Sequence, residues 1–173
     1  GVNWTQQTIG EADYFWRLDF VDDLNGWAAG GDSGKIASTT DGGNTWAVQV
    51  GVTEQDLYGV SFADVNRGWV VGAGSGTSPV MGVILHTTDG GASWATQYED
   101  STYLLIGVDF ADSASGWAVG FDPGSGSSRV LHTSDGGSTW TPQSASGWVF
   151  IDVVFVDPDT GWASGFGSVV HTV

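Results

Sequence analysis

Thr133-Ser134-Asp135-Gly136-Gly137-Ser138-Thr139-Trp140 is the stretch that decides the fold. Thr39-Thr40-Asp41-Gly42-Gly43-Asn44-Thr45-Trp46 and Thr87-Thr88-Asp89-Gly90-Gly91-Ala92-Ser93-Trp94 repeat it with small changes. The shared pattern, (S/T)-x-D-G-G-x-(S/T)-W, has the parts of a hairpin turn. Two glycines supply positive φ without steric cost. The Asp carboxylate accepts hydrogen bonds from the turn's own backbone. The Trp opens the next strand with a large apolar ring and one N–H that needs a partner.

Working outward, G-W-x-x-G recurs four times, from Gly26, Gly68, Gly116 and Gly161. Its Trp residues, Trp27, Trp69, Trp117 and Trp162, are 42, 48 and 45 residues apart, the length of one four-stranded propeller blade. Phe20/Asp22, Phe62/Asp64, Phe110/Asp112 and Phe155/Asp157 form a third marker, F-x-D, just upstream. Each unit then reads as four strands. An alternating inner strand (16–21, 58–63, 106–111 or 151–156) is followed by the G-W-x-x-G strand. A third strand (35–40, 83–88, 129–134 or 169–173) leads through the turn to an outer strand starting at Trp46, Trp94 or Trp140.

The repeated octapeptide is the Asp-box, or BNR repeat, and nearly the whole chain resembles Asp-box β-propellers: sialidases, some glycanases, sortilin-like receptors and the photosystem II assembly-factor family. The resemblance implies an all-β fold of four-stranded antiparallel blades. The box is a turn device shared by proteins with different activities, so it implies no one function. Residues 1–173 read as a single domain with blades at about 14–50, 56–98, 103–143 and 148–173. The fourth unit reaches only three strands, and Gly1-Val2-Asn3-Trp4-Thr5-Gln6-Gln7 matches the outer strand Gly43-Asn44-Thr45-Trp46-Ala47-Val48-Gln49. The expectation is therefore that residues 1–8 complete the last blade and close the ring, as a monomer or as a strand-exchanged homodimer.

Composition narrows the partners. Four Lys and Arg stand against 20 Asp and Glu, a net charge of −16. Nucleic acid requires a basic track and anionic membranes a basic patch; neither is available. The longest apolar run, 148–156, is interrupted by Asp152 and is too short for membrane insertion. The absence of Cys excludes thiol chemistry and disulfides. An acidic, Lys-poor, Trp-rich β chain suits an extracellular or periplasmic setting.

Catalytic readings find little support. Sialidases of the resembling family clamp a carboxylate with three converging arginines. Arg17, Arg67 and Arg129 fall at positions that cannot converge. A glycoside hydrolase needs two carboxylates, and the inner-strand residues Asp19, Asp109 and Asp152 are the candidates; hydrogen-bonded carboxylates of a channel wall are the favoured reading of all three. His86, His132 and His171 share one strand position in separate blades, so no common metal site is expected. No cofactor is expected. Asp157-Pro158-Asp159-Thr160 and Asp122-Pro123-Gly124-Ser125 offer hard oxygens for calcium without completing a calcium-loop pattern.

One face carries what the repeat does not explain. Loops between second and third strands, rich in Gly, Ser and Asp, lie beside outer-to-inner connections rich in aromatics. Trp16, Tyr58, Tyr103 and Trp148 are expected to form an aromatic collar around the axis, bordered by Asp122 and the 74–78 loop. The reading is a non-catalytic recognition or scaffolding module for a protein or glycan. The alternatives are the hydrolase above, or an assembly factor for a larger complex.

Overall fold

The computed structural model describes residues 3–9, 14–31, 34–49, 52–74, 81–144 and 149–172. The first blade comprises β1 (Phe15–Phe20), β2 (Gly26–Gly30), β3 (Lys35–Thr39) and β4 (Ala47–Gln49). The second comprises β5 (Asp56–Phe62), β6 (Gly68–Ala73), β7 (Gly82–Thr87) and β8 (Ala95–Asp100). The third comprises β9 (Leu104–Phe110), β10 (Gly116–Phe121), β11 (Ser128–Thr133) and β12 (Thr141–Gln143). The fourth has β13 (Phe150–Asp157), β14 (Thr160–Gly165) and β15 (Ser168–His171). Every sheet is antiparallel with its strands in chain order, and no helix occurs among the described residues. The chain is an all-β propeller array of four blades.

The box forms the turn its chemistry requires. Gly42 and Gly43 have φ of 71° and 84°, and the other two boxes repeat these values closely. Thr39 Oγ1 donates to Asp41 Oδ1 at 2.8 Å and accepts the Gly43 N–H at 2.9 Å. Asp41 also accepts the Thr45 N–H at 2.9 Å and the Thr45 hydroxyl at 2.6 Å. Asp89 and Asp135 are capped in the same way. The Ser93 hydroxyl and its neighbouring donors hold the Asp89 carboxyl down to about 2. Asp22, Asp64, Asp112 and Asp157 each accept two backbone N–H groups of the following turn. The acidic markers are thus turn caps.

The core lies between blades. Trp27 stacks on Phe62 of the next blade at 3.6 Å between centroids. Trp69 on Phe110 and Trp117 on Phe155 do the same at 3.4 Å. Each Phe also meets its own box Trp edge-on: Phe20 with Trp46, Phe62 with Trp94, Phe110 with Trp140. The marker histidines pack inside their own blades, His86 on Trp69, His132 on Trp117 and His171 on Trp162.

Ring closure by the amino-terminal segment is not what the structure shows. Residues 3–9 form no strand, and the sheet of the fourth blade ends at β15 among the described residues. Gln7 Oε1 accepts the Trp46 Nε1–H at 3.3 Å, so the segment touches the first blade. Successive inner strands pack side by side, but β13 and β1 have no comparable packing. They meet through Arg17 and Asp152 at 3.6 Å. Among the described residues the fourth sheet has three strands.

Candidate functional site

All four inner strands carry a β-bulge at the same place. The register slips by one between Phe15 and Arg17, Leu57 and Gly59, Leu105 and Gly107, and Phe150 and Asp152. The extra residues are Trp16, Tyr58, Ile106 and Ile151. A bulge leaves its residue unpaired and re-aims the side chain. Glycine makes room for it: a Cβ on Gly30, Gly72, Gly120 or Gly165, the last residue of each G-W-x-x-G, would lie 1.8–2.1 Å from a carbonyl oxygen at the start of the inner strand. Trp16 is 56% exposed, and its ring stands 6.4 Å from both Tyr14 and Tyr58. Tyr58, Ile106 and Ile151 are half-buried. The two isoleucines hold the register position of Trp16 and Tyr58, and no repeat marker singles them out.

The other expected collar residues fall elsewhere. Tyr103 precedes β9, three residues ahead of the bulged position, and carries the Arg129 guanidinium 4.3 Å from its ring centre. Arg129 pairs with Asp100 at 3.1 Å, and Asp100 accepts the Tyr98 hydroxyl at 2.9 Å and the Thr102 N–H at 2.8 Å. Burial works to raise the Asp100 carboxyl, but these donors together hold it below the usual range. Asp122 borders this face, with both oxygens engaged in its own turn by the Gly124 N–H at 2.8 Å and the Ser125 hydroxyl at 2.6 Å. Trp148 and most of the 74–78 loop lie outside the described residues. The structure thus brings Trp16 to Tyr58 and ties Tyr103 to Arg129.

Beneath the bulges, the four inner strands enclose an axial recess of about 260 Å³ lined by Arg17, Asp19, Asp109 and Asp152 among others. The carboxylates bind backbone of the following blade: Asp19 accepts the Phe62 N–H at 2.6 Å and Asp109 the Phe155 N–H at 2.5 Å. Burial foremost, with the Asp19 and Asp152 charges behind it, pushes the Asp109 carboxyl up to about 6. Its folded form holds a proton more tightly than the unfolded chain. It therefore contributes stability that is complete below the usual carboxylate range and lost as the pH rises through about 6. Between pH 4 and 7 the wild type is expected to lose about 2 kcal/mol from this group, discounting for partial exposure. Asp109→Asn keeps an acceptor for the Phe155 N–H and should remove that part of the slope. Denaturant titrations of both proteins across this range check it; parallel slopes would refute it.

The remaining chemistry does not assemble. Arg17 faces the axis, Arg129 the collar face, and Arg67 the opposite turn, where it helps depress His86 after burial. No cluster of three metal-ligating side chains occurs among the described residues.

The family model described as photosynthesis system II assembly factor YCF48 matches residues 1–98 and 47–144, in two overlapping registers. A solved structure of YCF48 bound to D1 peptide aligns with a TM-score of 0.62 at 24% identity, over 90% of this chain and 51% of that one. YCF48 from Cyanidioschyzon merolae aligns with a TM-score of 0.59 at 20% identity, over 98% and 58%. The GH74 xyloglucanase from Xanthomonas campestris aligns with a TM-score of 0.67 at 10% identity, over 86% and 25%. The chain thus spans just over half the length of the YCF48 chains it matches, and these likenesses establish the fold alone. No individual curated sequence is significantly similar to it. With the family model covering most of its length, the chain belongs to the photosynthesis system II assembly factor YCF48 family.

Proposed function

We propose that this chain is a non-catalytic recognition module of an assembly factor, holding an extended segment of a protein partner across the bulged face. The observation that carries the reading is the placement of Trp16, Tyr58, Ile106 and Ile151 at one register position of four adjacent strands. Apolar side chains on rigid strands, beside a Tyr103–Arg129 pair that can meet a backbone or an aromatic residue, suit a peptide. The YCF48 relative with a bound D1 peptide supports this class of ligand. Two of the four positions are aliphatic, which favours a peptide over the flat sugar faces that aromatic platforms take. The net charge of −16 selects neutral or cationic segments. The carboxylates of Asp19 and Asp109 bind the next blade's backbone, which supports a structural rather than hydrolytic role. No cofactor is needed for such binding. The acidic composition favours an extracellular or periplasmic setting.

The test is a titration, followed by intrinsic Trp fluorescence or calorimetry, with the D1 peptide and with neutral and cationic apolar peptides. Trp16→Ala and Ile106→Ala should each weaken binding roughly 5- to 100-fold, about 1–3 kcal/mol, the scale for losing an anchor. Asn25→Ala, on the opposite face, should leave it unchanged. Equal losses on both faces, or losses confined to the box side, would overturn the assignment.

A further inference from the structure

The third blade carries a group that the repeat does not call for. The position paired with the last glycine of each G-W-x-x-G holds Lys35, Val83, Arg129 and Ser168 in blade order. A guanidinium stands there once, so a four-stranded blade forms without one. Arg129 is held from two sides. The Tyr103 ring covers one face of its plane at 4.3 Å, and Nη2 donates to Asp100 Oδ2 at 3.1 Å and to the Tyr98 hydroxyl oxygen at 3.4 Å. The crossover that carries Asp100 and Tyr103 is seated on β7 at Gly82, where a Cβ would lie 2.2 Å from the Tyr103 carbonyl oxygen.

As a stabiliser this arrangement is poor. The side chains of Arg129 and Asp100 are only 23% and 15% exposed, so both charges are largely desolvated. The Arg129 Nε–H is buried with no hydrogen-bond partner among the described residues. Such a pair adds little net stability over apolar side chains of similar size, but it fixes two groups in one orientation. What is fixed here is the plane of a cation beside the bulged row. The chemistry of a ligand for its exposed part follows by elimination. Asp100 already neutralises the guanidinium, and a chain of −16 repels a further carboxylate. A cationic side chain is repelled by Arg129 itself. A neutral ring is repelled by neither, and a guanidinium is weakly hydrated and stacks on aromatic faces.

We propose that Arg129 is a specificity-determining residue that takes an aromatic side chain of the partner on the face turned away from Tyr103. Asp100 and Tyr98 are the positioning residues that fix its plane. This role rests on the peptide site proposed above: the bound segment carries a phenylalanine, tyrosine or tryptophan over the third blade. Trp16, Tyr58, Ile106 and Ile151 supply apolar contact along the segment, and Arg129 selects one residue within it.

The probes are capped pentapeptides, valine on both sides of a central phenylalanine, cyclohexylalanine or arginine, titrated by calorimetry against the intact chain. Phenylalanine and cyclohexylalanine match in shape and differ in the π face, so their ratio isolates the stack. The phenylalanine peptide should bind roughly fivefold or more tighter than the cyclohexylalanine peptide, and tighter than the arginine peptide. Arg129→Met/Asp100→Leu, which exchanges the pair for apolar side chains, should keep or raise the thermal midpoint while bringing that ratio close to one. Arg129→Lys, which keeps the charge and loses the plane, should lower the ratio roughly threefold or more, and it stands in for the double variant should that fail to fold. Equal binding of the phenylalanine and cyclohexylalanine peptides, a preference for arginine, or a ratio unchanged in the folded variants would overturn the assignment. If Trp16→Ala then still weakened all three peptides alike, the peptide site would stand and the role of Arg129 alone would fall. Binding of none of the three would remove both.

Discussion

Trp69→Ala is expected to cost about 3–5 kcal/mol, the range for emptying a large aromatic site in a core. Trp69 is fully buried between the second and third blades, stacked on Phe110 at 3.4 Å with an interplanar angle of 6°, and its other contact is the His86 ring at 4.9 Å. Its Nε1–H donates to Gln97 Oε1 at 3.1 Å and the Gly136 carbonyl at 3.2 Å, so alanine takes the donor from Gln97 Oε1 as well as leaving a void. The position is the middle joint of a quasi-one-dimensional array, where each blade is held by its neighbours. A loss of that size is a large share of a domain's net stability of about 5–15 kcal/mol. Guanidinium titration should show a lower midpoint and a smaller m-value as the two halves unfold separately. Trp162→Ala, at the same marker position but stacked only on its own His171 among the described residues, should cost well under half as much. Equal costs at the two positions would show that inter-blade stacking is not the source of stability.

Those two residues show what the sequence made legible. Trp69 and Trp162 read alike, because a repeat reveals period and turn chemistry, both of which are local. The positive φ of Gly42 and Gly43 and the capping by Asp41 follow from eight consecutive residues. Burial depends on the next blade and is invisible within one repeat. The match between residues 3–7 and an outer strand was legible for the same local reason. What the segment touches was not, since nothing within it shows that Gln7 reaches Trp46.

The binding face was half legible. Trp16 and Tyr58 stood out as aromatics ahead of an alternating strand. Ile106 and Ile151 did not, because an aliphatic residue in an alternating run reads as core. A bulge shifts the pleat by one and moves every preceding residue to the other face. Tyr103 accordingly meets Arg129 of its own blade rather than joining the bulged row. The one signal that could have located the bulges is the last glycine of G-W-x-x-G, which marks close backbone approach.

That signal makes the last expectation specific. A Cβ on Gly120 would lie 1.8 Å from the Leu104 carbonyl oxygen, 2.8 Å from its carbon and 3.0 Å from the Leu105 Cα. All three are backbone atoms, so no rotamer change relieves the overlap; β9 itself must move. Gly120→Ala is therefore expected to cost about 3 kcal/mol, the upper end of ordinary overpacking. It should also displace Ile106 and Tyr103 and weaken peptide binding by more than the stability loss explains. Gly126→Ala separates sterics from conformation. Gly126 has φ of 71° with no atom within 4 Å of its would-be Cβ, so it bears only the left-handed backbone penalty of about 1–2 kcal/mol. Thermal unfolding and the peptide titration on both variants decide the matter. If Gly120→Ala were no worse than Gly126→Ala in stability and bound peptide normally, the bulges would not depend on the marker glycine. The bulged row would then owe its position to the inner strands alone, and the collar would have to be sought from side-chain packing around Trp16 and Tyr58 instead.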